Sequence, residues 1–179
     1  MDKQVISYGE FQSPIGTLTL LAGSEGIYRL DFGISEDVLP AAEAWFKKNH
    51  VKPDFILNYE IIDPIIVQLE EYFNGKRRLF DLQLCMIGTP FQKKVWKSLN
   101  AIPYGETRSY KDVAVDISAP RAVRAIGSAN NRNPLPIIIP CHRVIGSNGA
   151  LVGYGGGMDK KEYLLSLEQQ KALHPAISS

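Results

Sequence analysis

The most unusual segment of the chain is Asn133-Pro134-Leu135-Pro136-Ile137-Ile138-Ile139-Pro140-Cys141-His142-Arg143-Val144. Each proline fixes φ near about −65° and removes a backbone N–H, so this segment is stiff and cannot be helical throughout. Cys141 follows the apolar run directly, and His142 or Arg143 could supply the base or positive charge that a thiolate nucleophile needs. Neighbouring residues of an extended strand point to opposite faces, so His142 can serve Cys141 only through a turn or a bridging water. A buried structural cysteine is the alternative.

The residues before this segment predict three helices. Thr89 is a good N-cap, Pro90 fits the first helical position and Gln92 completes a capping box, for a helix that ends before Pro103. A second capping box, from Ser109 to Asp112, begins a short helix through Ile117. After the break at 118–120, a third helix is predicted from about Arg121 to Asn130.

The last two of these helices, joined by a tight turn, fit a helix-turn-helix. An ordinary corner between two helices is the alternative, and Arg121, Arg124 and Arg132 favour the DNA-binding interpretation. Beyond the proline-rich segment, a glycine-rich loop covers 153–157, and a capping box over 159–162 predicts the start of a last helix.

The first half alternates strand and helix signals. Turns and period-two patterns predict strands over 5–11, 17–21, 27–32 and 80–84. Helical spacing predicts helices over 41–48 and 63–74. This half should therefore form a small sheet with helices, and Gly88-Thr89-Pro90 marks the boundary between domains 1–88 and 89–179.

Composition excludes several classes of protein. The chain has 179 residues, of which 45% are hydrophobic and 22% charged, and these are values of ordinary globular domains. Two cysteines cannot form a disulfide scaffold, and the first thirty residues contain no signal-peptide pattern, so a cytoplasmic protein without a membrane segment is expected. The net charge of +1 divides unevenly, because residues 1–88 carry −5 and residues 89–179 carry +6. A basic half suits a polyanion partner, although an unevenly charged solvated surface is the alternative.

The segment around Cys141 resembles the active-site motif of the O6-alkylguanine-DNA alkyltransferases, also called methylated-DNA–protein-cysteine methyltransferases. The resemblance covers residues 89–168 and includes further motifs in the same order, at 89–96, 105–110, 121–133, 154–157 and 162–168. It implies an α/β protein with a small N-terminal ribonuclease H-like domain and a C-terminal winged helix-turn-helix-like domain that holds the active site. The implied function is direct reversal of O6-alkylguanine damage in double-stranded DNA, with O4-alkylthymine as a further candidate substrate.

The resemblance also implies catalytic roles. Cys141 would accept the alkyl group, His142 would act as base through a water, and Glu168 would orient the imidazole. Asn133 would hold the cysteine turn in place, and Tyr110 would protonate the leaving guanine. For Asn133, Tyr110 and Glu168 the alternatives are a loop asparagine, a core tyrosine and a solvated carboxylate.

Further residues would hold the DNA and the damaged base. Arg124 would fill the space left by a flipped-out nucleotide. The remaining DNA contacts are assigned to Arg121, Arg132, Ser109, Ala125 and Gly127, and the alkylguanine pocket to Tyr110, Val144, Tyr154, Gly155 and Gly156. Close helix packing is the alternative explanation of the small residues in the helix predicted from about Arg121 to Asn130.

The sequence contains no cofactor motif, so a methylated Cys141 would stay methylated and the protein would act once. His50 and Cys85 are too few for the zinc site of some family members, so no metal is expected. A monomer without an obligate protein partner is expected. The rival functions are a non-catalytic DNA-binding sensor of alkylation, which needs no thiol, and a thiol hydrolase, which needs an acyl pocket that the sequence does not show.

Overall fold

The computed structural model describes residues 2–173, which form two compact units divided between Ile87 and Gly88. The last six residues of the predicted domain 89–179 lie outside the described residues. Within residues 2–173, the helices are too short or too polar to cross a membrane.

The first unit is a four-stranded sheet with two helices. Its strands are β1 (Gln4–Ser13), β2 (Gly16–Gly23), β3 (Gly26–Phe32) and β4 (Pro53–Leu57), in the order β3-β2-β1-β4. The first three strands pair antiparallel, whereas β4 runs parallel to β1. The helices are α1 (Ser35–Lys48) and α2 (Tyr59–Phe73). Apolar side chains of α1 pack on the sheet, where Ala42 and Phe46 join Ile6, Leu21 and Tyr28 in one buried cluster.

Both helices begin earlier than predicted. The N-terminus of α1 is held by a side chain distant in sequence, since the Glu10 carboxylate accepts hydrogen bonds from the Ser35 N–H and hydroxyl, each at 2.7 Å. Asn58 caps α2 by accepting a hydrogen bond from the Glu60 N–H. Strand β4 was not predicted.

The predicted strand over 80–84 is wrong. Only Leu84 forms a β-bridge, with Ile27 of β3. The Gln68 side chain instead forms hydrogen bonds with the N–H and the carbonyl of Asp81, at 2.9 Å each. These bonds take the place of the backbone hydrogen bonds that a strand would form with a neighbouring strand. Gly26 of β3 allows the backbone of Gln83 to approach closely, because a Cβ at Gly26, whose φ is 125°, would overlap the Gln83 carbonyl.

The second unit consists mainly of helices. Its elements are α3 (Pro90–Asn100), β5 (Arg108–Ser109), α4 (Tyr110–Asp116), α5 (Val123–Asn131), a 3₁₀ turn (Cys141–Arg143), β6 (Val144–Ile145) and α6 (Met158–Leu173). The capping boxes at Thr89 and Ser109 are both present. Helix α5 begins at Val123, two residues later than predicted. Helix α6 already includes Met158, so the predicted cap at Asp159 is wrong.

The helices of the second unit pack around Trp96. This side chain is 1% exposed and its indole N–H donates to the Ala129 carbonyl at 2.9 Å, which joins α3 to α5. Helices α4 and α5 form the predicted helix-turn-helix, and β5 pairs parallel with β6 beside it. The α/β fold class is therefore confirmed.

Candidate active site

Cys141 lies at the start of the 3₁₀ turn and is 5% exposed. The sequence left open whether the chain turns at Cys141 and His142 or continues as an extended strand. The structure shows a turn there. Asn133 braces the approach to this turn: its amide donates to the Ile139 carbonyl at 2.8 Å, and its Oδ1 accepts from the Leu135 N–H at 2.9 Å. Asn133 thus binds the proline-rich segment at two points.

The proline-rich segment is buried and strained. Residues 134–140 are all buried. Ile137, which is 1% exposed, has a φ of 74°, a conformation that β-branched residues rarely adopt. Such strain persists only where the surrounding structure fixes the backbone, and here the fixed backbone leads directly into the 3₁₀ turn that begins at Cys141.

Glu168 of α6 lies at the centre of a buried cluster of hydrogen bonds. Its Oε2 is 2.6 Å from His142 Nε2 and 3.1 Å from an Arg143 Nη2, while its Oε1 accepts from Arg143 Nε at 2.8 Å and from the Gly105 N–H at 3.3 Å. Glu168 is 1% exposed and His142 is fully buried. The solvated-carboxylate alternative for Glu168 is therefore excluded.

This cluster sets the protonation of His142. Burial opposes charge on Glu168, but the bonds and charges of His142 and Arg143 outweigh it and hold the pKa of the carboxyl well below its usual range. The carboxylate can only accept, so His142 Nε2 is the protonated nitrogen and Nδ1 carries a free lone pair. Nδ1 is buried and has no hydrogen-bond partner among residues 2–173. Burial also lowers the pKa of His142, which keeps the imidazole neutral and able to accept a proton.

The thiol of Cys141 is protonated at rest. Burial raises its pKa to about 11, although a hydrogen bond from the Asn133 side chain and the charge of Lys161 act in the opposite direction. A resting thiolate is therefore absent at neutral pH, so Cys141 could act as a nucleophile only with the help of a base. Arg143 binds Glu168 and the Ile102 carbonyl, so its charge serves the carboxylate.

Two tyrosines belong to the same region. Tyr110, the first residue of α4, is half-buried and its hydroxyl donates to the Val152 carbonyl at 3.1 Å. Burial raises its pKa, and the negative charge that Cys141 carries once it is ionised raises it further. Burial raises the pKa of Tyr154 well above its usual value, with smaller contributions from Cys141 and Glu168. Both phenols are therefore protonated at neutral pH and can donate.

The predicted DNA contacts lie mostly on the exposed side of the helix-turn-helix. Arg121, Arg124, Ala125 and Arg132 are exposed, and Gly127 is half-buried. Close packing therefore does not explain Ala125. A Cβ at Gly127 would meet only the Tyr110 ring, at 4.0 Å, so packing does not require a glycine there. Ser109 is engaged in the capping box of α4.

Lys161 is the residue that sequence reasoning missed. It is fully buried in α6, and its Nζ donates to the carbonyls of Val144 at 2.5 Å and Val152 at 2.9 Å. Its position within Asp159-Lys160-Lys161-Glu162 is typical of a solvated helix terminus, so no pattern in the sequence indicates that Lys161 is buried. A cavity of about 610 Å³ between α3 and α4 is lined by Ser98, Ile102, Arg108 and Asp116 among others, and contains none of the predicted site residues.

The fold and the site together define a helix-turn-helix DNA-binding protein with a buried cysteine beside a histidine–glutamate pair. Residues 6–86 match the family model described as 6-O-methylguanine DNA methyltransferase, ribonuclease-like domain, and residues 90–170 match that of its DNA binding domain. The chain belongs to the O6-alkylguanine-DNA alkyltransferase family. Its activity is the direct reversal of DNA alkylation by transfer of an alkyl group to a cysteine.

Relatives from distant organisms support this assignment. The methylated-DNA–protein-cysteine methyltransferase of Methanosarcina barkeri is 50% identical over 90% of this chain and 96% of the relative. The constitutive enzyme of the same name from Bacillus subtilis is 44% identical, over 90% and 94%. A crystal structure of Mycobacterium tuberculosis OGT in complex with DNA has a TM-score of 0.75 and 43% identity, and covers 92% of this chain and 94% of that one.

Proposed function

We propose that Cys141 accepts the alkyl group from O6 of guanine in double-stranded DNA and is consumed by the reaction. The observation that carries this proposal is the buried pair of His142 and Glu168, which leaves an unpartnered imidazole nitrogen beside the turn that begins at Cys141. That nitrogen is the general base that a thiol with a raised pKa requires.

In the proposed reaction, Cys141 Sγ attacks the alkyl carbon, a new S–C bond forms and the bond from that carbon to O6 breaks. The thiol proton passes through a water to Nδ1 of His142, and Glu168 stabilises the imidazolium. The electrons of the broken bond remain with guanine, which takes a proton from the Tyr110 hydroxyl. Cys141 becomes a thioether, which water does not readily cleave, so each chain acts once.

The damaged base reaches Cys141 outside the helix of DNA. Val144, Tyr154, Gly155 and Gly156 line the pocket with Tyr110. Arg124 fills the vacated space in the duplex, and the exposed Arg121, Arg132 and Ala125 contact the DNA together with Ser109 and Gly127. The rival function of a non-catalytic sensor does not require a cysteine beside a neutral, buried imidazole.

We assign the catalytic work to residues 89–179 and treat residues 1–88 as a separate domain. The protein needs no cofactor and no metal, works as a monomer without an obligate partner, and acts in the cytoplasm, where a reducing environment keeps Cys141 a thiol.

Intact-mass spectrometry tests the proposal directly. Mixing the protein with excess duplex that contains O6-methylguanine should add one methyl group per chain, at Cys141, and repair should stop at one equivalent. Cys141→Ser should bind DNA and gain no methyl group, while Cys85→Ser should behave as the unchanged chain. Repeated turnover, or methylation of Cys85, would contradict the proposal, and an O4-methylthymine duplex in the same assay decides whether that base is a second substrate.

A further inference from the structure

Lys161 is a fully buried lysine to which the proposed reaction assigns no role. Its Nζ contacts the carbonyls of Val144, which directly follows the 3₁₀ turn of Cys141–Arg143, and of Val152, in the loop before α6. Burial lowers the pKa of Lys161, and the negative charge of a Cys141 thiolate raises it. Burying a lysine is costly unless its donors are used. The burial of Lys161 against these two carbonyls therefore needs an explanation beyond packing.

The Val152 carbonyl receives hydrogen bonds from two different helices. Lys161 Nζ of α6 is 2.9 Å from this oxygen, and the Tyr110 hydroxyl of α4 is 3.1 Å from it. A carbonyl oxygen has two lone pairs and can accept both bonds at once. The tyrosine hydroxyl has a single proton, whereas the lysine ammonium has three, so only the lysine can serve a second partner without leaving Val152.

We propose that Lys161 is a positioning residue that keeps the Val152 carbonyl hydrogen-bonded while Tyr110 turns its hydroxyl from that carbonyl to the leaving guanine. The proposal rests on the acid role of Tyr110 given above. Without Lys161, transfer of the Tyr110 proton to the base would remove the second of the two donors that bind the Val152 carbonyl, and the loss of that hydrogen bond is costly if the bound base covers the carbonyl. With Lys161, the hydroxyl is released at little cost.

The contact with Val144 extends the same role. One ammonium group binds Val144, which follows the 3₁₀ turn, and Val152, in the loop before α6. Both carbonyls are thereby fixed relative to α6, which also carries Glu168. Lys161 therefore holds the Val152 carbonyl at a constant distance from the turn that begins at Cys141, whether or not Tyr110 is bound to it.

A double-mutant cycle on a free base tests the proposal. The measurement is the single-turnover rate of transfer from O6-benzylguanine, which requires no base flipping, for the unchanged chain, Lys161→Met, Tyr110→Phe and the double variant. Lys161→Met should slow transfer about tenfold or more when Tyr110 is present. It should slow transfer at least about fivefold less in the Tyr110→Phe background, where no hydroxyl has to leave Val152.

A merely structural lysine gives a different result, since its loss slows both backgrounds by the same factor. Equal factors would overturn the role of Lys161 while leaving the acid role of Tyr110 intact. A full rate for Tyr110→Phe alone would refute that acid role, and this proposal with it. Lys160→Met removes the same charge one residue earlier and should keep the rate within about twofold.

Lys161→Arg keeps the test decisive if the methionine variant does not fold. The guanidinium retains the charge but has a different length and donor geometry, so it cannot reproduce both Nζ contacts. Its rate loss must again be smaller in the Tyr110→Phe background, and equal losses in the two backgrounds would overturn the proposal.

Discussion

Glu168 receives hydrogen bonds from His142, Arg143 and the backbone N–H of Gly105. Its negative charge acts on the first two of these groups. The carboxylate fixes the imidazole tautomer and compensates a buried guanidinium. The ring of Tyr104 adds a cation–π contact on Arg143, whose guanidinium carbon is 5.7 Å from the ring centroid. In the proposed reaction, Glu168 therefore serves both the chemistry and the stability of the second unit.

Glu168→Gln should lower both the rate of alkyl transfer and the stability of the protein. The neutral amide can donate to His142, which allows the wrong tautomer, and it leaves Arg143 buried without a counter-charge. We expect the single-turnover rate to fall about 100-fold or more and the melting temperature of the protein to fall as well. Glu162→Gln, at an exposed position of the same helix, is the control and should leave both quantities unchanged. A Glu168→Gln variant with a normal rate would exclude the proposed base.

His142 should make the stability depend on pH. Its pKa is lowered in the folded protein by burial, and an unfolded histidine has a pKa of about 6.5, so between these values the unfolded chain binds more protons. The free energy of unfolding should therefore decrease as the pH falls from about 7.5 to about 5.5, above the range in which Glu168 begins to lose its contribution.

Urea denaturation at several pH values measures this effect. His142→Asn should flatten the pH dependence in that range, because asparagine does not titrate. His50→Asn is the matched control: His50 is exposed with a φ of 62°, which asparagine tolerates, and the substitution should preserve the slope. The same slope in both variants would show that another group titrates.

At the scale of elements, the turn of the helix-turn-helix is built by a Schellman motif at the end of α4. The Ser118 N–H binds the Val115 carbonyl at 3.0 Å and the Ala119 N–H binds the Ala114 carbonyl at 2.8 Å. Ser118 has a φ of 58°, in the left-handed region where glycine is usual. The turn therefore carries strain at an exposed residue.

Ser118→Gly should stabilise the second unit. Relief of this strain, less the entropy of a more flexible unfolded chain, should raise the free energy of unfolding by about 0.5–1 kcal/mol. Ser128→Gly places the same substitution at an exposed position inside α5, where it should lower the free energy of unfolding by about 0.5 kcal/mol. Urea denaturation of both variants decides the matter, and destabilisation by Ser118→Gly would contradict the capping argument.

At the scale of the whole molecule, the charge is divided between the halves of the sequence, with −5 on residues 1–88 and +6 on residues 89–179. Arg121, Arg124 and Arg132 contribute to the positive half from exposed positions on and beside α5. A repair protein must act at any sequence, so phosphate contacts should dominate, and each neutralised phosphate contributes a slope of about −0.9 to log K against log salt.

Substitutions of Arg124 and Arg121 should therefore have different effects on DNA binding and on the rate of repair. Arg124→Ala should slow repair of duplex DNA at saturation far more than transfer from free O6-benzylguanine, because unstacking a base costs a few kcal/mol only in the duplex. Arg121→Ala should weaken duplex binding and reduce its salt slope by about one, with little change in the saturated rate. Equal losses on both substrates for Arg124→Ala would remove its proposed role in base flipping.

Local chemistry in the sequence determined much of this protein. The capping boxes at Thr89 and Ser109 and the proline-punctuated approach to Cys141 involve residues within a few positions of one another. Interactions of that range depend little on the rest of the fold, and the sequence therefore predicted α3, α4 and the short α5 and marked Cys141 as a candidate nucleophile, a role that the family resemblance then implied. The resemblance to a family added Glu168 and Tyr110, which are distant in sequence from Cys141.

Only the tertiary structure decided the contacts between distant residues. Three such contacts join residues separated by nine or more positions. They are the cap that Glu10 provides for Ser35, the bonds from Lys161 to the carbonyls of Val144 and Val152, and the bonds from Arg143 to Glu168. The failed strand over 80–84 has the same cause, since Gln68 captures Asp81. Patterning reports which side chains prefer burial, but the partner of a buried polar group depends on which segments the fold brings together.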